Sequence, residues 1–155
     1  FSREQAASVQ SVFGLSIIVG RVVVGYLVDR LWAPGVAALC LAIPAGGAAM
    51  LHGSQTFETA ALAAFLIGFA AGAELDLMAF LAARYFGLAH YAKIYSILYA
   101  TLAVCSGTAP MIFASVYDST GSYDLGYSVA AALFLVSVVL ILLLGRYPKE
   151  YEGGH

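Results

Sequence analysis

The chain has 155 residues, 62% of them hydrophobic and only 10% charged, with a formal net charge of -2. A mean hydropathy of +0.90 leaves too little polar side chain to cover a soluble globule, so the medium around this protein is read as lipid. The weakly acidic balance offers no basic face, and no nucleic-acid partner is expected.

Five apolar stretches follow one another, and each approaches or exceeds the ~20 residues that cross a hydrocarbon core. The first runs from Ala6 to Val28. Its Gln10, Gly14, Arg21 and Gly25 recur at spacings of 4, 7 and 4, which puts them on one helical stripe. The second, Pro34 to His52, carries no charge, and Pro34 suits a helix start. The third, Thr59 to Ala83, contains Gly68 and Gly72 as a GxxxG pair and carries Glu74 and Asp76. In the fourth, Ala92 to Val116, Ser96, Ala100, Ala103 and Gly107 share a face, while Tyr95 and Tyr99 stand one turn apart. The fifth, Leu125 to Gly145, ends in a nearly unbroken run of Leu, Val and Ile. Short breaks rich in Gly, Asp, Ser and Thr separate the stretches, with Gly121 a natural turn position in DSTGSY. The reading is an all-α polytopic membrane protein of five transmembrane helices in a single domain, residues 1–155.

Charges at bilayer depth cost at least ~2.5 kcal/mol each, so Arg21, Glu74 and Asp76 are expected to line a wet path or to be paired. Arg21 and its stripe, Gln10 included, form the best pathway candidate. The second and fifth stretches read as outer, lipid-facing helices, and the glycine pair of the third as a close-packing face. Cys40 and Cys105 lie in different apolar stretches and read as packing residues. His52, His90 and His155 have no metal-ligand spacing, and no cofactor is expected. Neither a phosphate loop nor a nucleophile with a nearby base is present, so the chain is not read as an enzyme.

Lys and Arg set the orientation. With the first stretch starting outside, Arg30, Arg84, Lys93, Arg146 and Lys149 fall inside and only Arg3 outside. The amino end is then external and the carboxyl end cytoplasmic.

GRVVVGYLVDR, Gly20 to Arg30, resembles the Gly-x-x-x-Asp-Arg signature of major facilitator superfamily transporters. AELDLMAFLAARYFGLAHYAKIYSILYATLAVCSGTAP followed by YDSTGSY is similar to later helices of the oxalate/formate antiporter and monocarboxylate transporter branch. The resemblance implies helices eight to twelve of a twelve-helix fold, a carboxyl-terminal piece of a larger protein, with the missing amino-terminal helices of the same protein as partners. It also implies a secondary transporter, a symporter or antiporter working by alternating access in the bacterial inner membrane. An inverted repeat is part of that fold, and GYLVD closing the first stretch is echoed by ASVYD closing the fourth.

Arg21 offers a planar donor fork that matches a carboxylate, although a helix-end arginine also snorkels to an interface. In relatives of the monocarboxylate type an arginine four residues before a glycine binds substrate, and Arg21 precedes Gly25 by that interval. A small organic monoanion is the expected substrate, because Leu102 stands where oxalate carriers have a second cation; Ile17 replaces the aspartate of the animal carriers. Tyr95 and Tyr99 are further substrate-contact candidates, with aromatic packing as the alternative. Glu74 and Asp76 are candidates for an ion pair or proton coupling, with Glu74 the expected partner of Arg21 because their depths agree. Asp29, Arg30 and Arg84 are candidates for a gate near the inner face, or plain membrane anchors. The competing class is a non-transport integral membrane subunit or a channel built from five helices.

Overall fold

The computed structural model describes residues 2–52 and 56–146. Gly53 to Gln55, Lys149 and His155 lie outside the described residues. Five helices follow one another: α1 Arg3–Val28, α2 Ala33–Met50, α3 Phe57–Phe86, α4 Tyr91–Thr120 and α5 Asp124–Leu142. All five are long and apolar enough to cross a membrane.

Local chemistry sets their ends. Ser2 caps α1 and exchanges bonds with Gln5; Thr56 does the same for α3 with Thr59, so each helix start satisfies otherwise orphaned N–H groups. Proline in the first turn of α2 costs no hydrogen bond there. At the other ends, Gly87 and Gly121 stop α3 and α4 at φ 73° and 70°, a region that side chains with a Cβ avoid. α3 and α4 each run 30 residues, beyond the apolar stretches, because flanking polar residues such as Glu58 and Arg84 continue the helix.

Packing is uneven. α1 lies along α3 for much of its length, and α2 packs against both α3 and α5. α4 meets α3 and α5 only lightly and has no buried residue. A small core of Val24, Val28, Ala33, Val36, Ala37, Cys40, Ala73 and Leu77 forms where α1 ends, α2 begins and α3 passes between.

The α1–α3 contact is made by small residues. α1 buries Ser16, Gly20, Val24 and Val28, a stripe of spacing four. A Cβ on Gly20 would fall onto the Phe69 carbonyl, and one on Gly72 onto the Ile17 carbonyl. At Gly68 it would meet the Ser16 hydroxyl and the Phe13 carbonyl. The GxxxG pair therefore acts as the packing face expected of it.

One expectation about the outer helices changes. α2, read as lipid-facing, is the most enclosed helix, with ten of its 18 residues buried, because Ala, Gly and Pro make it slim enough to wedge between α3 and α5. α5 buries only Gly126. Cys40 sits in the core and Cys105 is exposed on α4; both are free thiols.

Candidate functional site

Arg21 and Asp76 meet across α1 and α3. The guanidinium donates from Nε to Oδ2 and from Nη2 to Oδ1, both at 3.3 Å, a two-point fork on one carboxylate. The side chains keep 53% and 44% of their surface open, so the pair is held yet reachable. The partner is Asp76 and not Glu74, which the depth argument had favoured.

Register explains the difference. Gly68, Gly72 and Asp76 are spaced by four, so Asp76 continues the stripe that faces α1. Glu74 lies at nearly the same height but roughly 200° around the helix, which turns it elsewhere. Depth could not separate residues ~3 Å apart along the axis; the glycine stripe could. Sequence reading missed that signal.

The other residues of the expected stripe lie on the open face of α1. Gln10 and Arg21 are exposed, and Gly14 and Gly25 have nothing within 4 Å of where a Cβ would be. On α4, Tyr91, Tyr95 and Tyr99 stack with ring centroids 5.5 and 6.2 Å apart. Tyr95 is half-buried. Tyr99 is half exposed. The small-residue face of α4, by contrast, packs on nothing at Gly107.

Beside the ion pair, a cavity of about 260 Å³ lies between α1 and α3, lined by Asp76, Gly25, Leu77, Phe80 and, at the end of α1, Asp29. Arg30 places its guanidinium 4.1 Å from the Tyr26 ring centroid, and Arg84 lies 5.3 Å from that of Phe80. These contacts cluster the three gate candidates at one end of the α1–α3 pair.

A larger cavity, about 1160 Å³, opens on the other side of α3, walled by α2, α3, α4 and α5. Its lining is apolar apart from Glu74 and a few hydroxyls, and Glu74 is its one charged residue among the described residues. No group of three or more His, Cys, Asp or Glu that could hold a metal occurs among the described residues.

Residues 1–154 match a family model described as Major Facilitator Superfamily. Neither the curated proteins nor the solved structures include a significant match.

Proposed function

Because the chain belongs to the major facilitator superfamily of membrane transporters, we propose that it forms part of a secondary carrier for a small organic anion of the monocarboxylate kind, with Arg21 as the anion-binding group. The observation that carries this reading is the two-point contact of a half-exposed Arg21 with the Asp76 carboxylate. A carboxylate already occupies the fork, so the geometry suits the carboxylate of a substrate. One guanidinium matches one carboxylate, which favours a monoanion over a dianion.

Asp76 and substrate compete for the same donors. A proton placed on an Asp76 carboxylate oxygen removes its charge, frees the fork and lets the substrate carboxylate take its place. Proton and anion then cross together as the carrier alternates between its two faces. Asp76, reaching in from α3, supplies the acid that Ile17 does not. Gln10, Tyr95 and Tyr99 line the approach, and Asp29, Arg30 and Arg84 form the inner gate. The orientation remains the one favoured by the Lys and Arg distribution, with the amino end external, in a bacterial inner membrane.

The test is uptake of labelled monocarboxylates and dicarboxylates by the full-length protein in proteoliposomes across a pH series, compared with Arg21→Lys. Lysine keeps the charge and loses the fork, so monocarboxylate uptake should fall by at least about tenfold. Undiminished uptake in that variant would remove Arg21 from the site.

A further inference from the structure

We propose that the cavity of about 260 Å³ between α1 and α3 is a proton path, with Asp29 as the relay that passes the Asp76 proton to solution and Gly25 as the gap that keeps the path open. The relay rests on the coupling role given to Asp76 above.

Both aspartates border this one cavity, and the rest of its wall is Gly25 and four apolar side chains. A water needs only about 10–15 Å³ of such space together with two to four polar partners. The partners stand at the Asp76 carboxylate, where the Arg21 fork is also bound, and at the Asp29 carboxylate. Apolar walls elsewhere confine a hydrogen-bonded chain of water to the line between the two acids. Asp29 closes α1 and is exposed, so the far end of that line opens to solution.

Arg21, Gly25 and Asp29 are spaced by four and share one stripe, which sets Gly25 between the ion pair and the relay. Gly20, Gly68 and Gly72 are each pressed against backbone of the facing helix, whereas nothing lies within 4 Å of a Cβ at Gly25. Packing among the described residues does not demand a glycine at that position. A clear passage does.

Charge gives the path a direction. On the cleft side a proton leaving Asp76 meets the Arg21 guanidinium, which repels it; on the cavity side it is drawn toward the Asp29 carboxylate. The neighbouring cations are held on rings, Arg30 over Tyr26 and Arg84 over Phe80, and Glu74 faces the larger cavity across α3. α2 adds only the Cys40 thiol to the adjoining core, and α4 does not reach α1 among the described residues. The Asp76 carboxyl gives its proton to a water, a proton passes along the chain to Asp29, and Asp29 releases it, so one proton leaves and no other bond changes.

The test uses the full-length protein in proteoliposomes and the best-transported of labelled formate, lactate and pyruvate, with two readouts. Net uptake driven by a pH gradient requires Asp76 to lose its proton in every cycle; exchange at equal concentrations on both sides lets the proton stay. Gly25→Thr and Gly25→Val have the same shape, but only threonine carries a hydroxyl that can continue the hydrogen-bonded chain. Net uptake should fall at least about tenfold in Gly25→Val and less than about threefold in Gly25→Thr, with exchange in both within about twofold of wild type. Asp29→Asn should lower the ratio of net uptake to exchange by at least about tenfold, and Asp29→Glu should restore it. Equal net uptake in Gly25→Thr and Gly25→Val, or an unchanged ratio in Asp29→Asn, overturns the relay and leaves the anion reading standing. Loss of exchange in both Gly25 variants overturns it as well, because Gly25 would then face the solute. Wild-type uptake that ignores the pH gradient removes the coupling role of Asp76 and the relay together.

Discussion

Replacing Gly72 by alanine puts the α1–α3 contact to a direct trial. The added Cβ would lie 2.8 Å from the Ile17 carbonyl carbon and 2.9 Å from its Cα, and closer still to the oxygen, where ordinary contact begins at 3.4 Å. The helices must part by at least about half an ångström, and backbone cannot yield as a side-chain tip would. Overpacking of this kind costs about 1–3 kcal/mol. A shift of that size, carried one turn along to Arg21 and Asp76, stretches contacts of 3.3 Å past hydrogen-bonding range. Gly46→Ala is the control: it adds the same methyl and the same helix propensity, with nothing within 4 Å to strike. Unfolding free energies in mixed micelles, paired with monocarboxylate binding, should show Gly72→Ala weaker than Gly46→Ala by that 1–3 kcal/mol and impaired in binding. Identical stability and binding in the two variants would refute both the close approach and its link to the site.

Asp76→Asn keeps the shape and removes the charge, so the anion should bind at least as tightly while uptake loses its pH dependence, falling from up to ~tenfold per pH unit for one coupled proton to nearly flat; an unchanged pH profile would exclude Asp76 from coupling. Tyr85→Phe deletes the hydroxyl that donates to the Gly145 carbonyl at 2.7 Å, tying the end of α3 to the end of α5. That loss should lower unfolding free energy by about 1 kcal/mol without altering substrate affinity. Gly121→Ala places a Cβ at φ 70° and should cost about 1–2 kcal/mol in the same unfolding assay, although the space around it is open.

The five helices were legible because lipid demands long apolar runs with their hydrogen bonds closed internally, and that demand is written residue by residue. Which helix is enclosed was not. The charge-free second stretch looked like a lipid-facing helix, yet charge says nothing about thickness. Its Ala, Gly and Pro content, visible all along, is what lets α2 slip between α3 and α5.

The site shows the same divide between axial and angular information. Counting along two helices matches Arg21 to Glu74, but Asp76 lies only ~3 Å further along the axis, too little for depth to choose between the acids. The preference lies in azimuth: Gly68 and Gly72 define the side of α3 that touches α1, and Asp76 is the next member of that series. Two acids two residues apart cannot serve one guanidinium from one straight helix, so the pair forces a division of labour. The acid on the glycine stripe faces the arginine in a half-open cleft, where a charge can be traded with solute. The other faces an apolar chamber, where a charge is stable only if something permanent meets it.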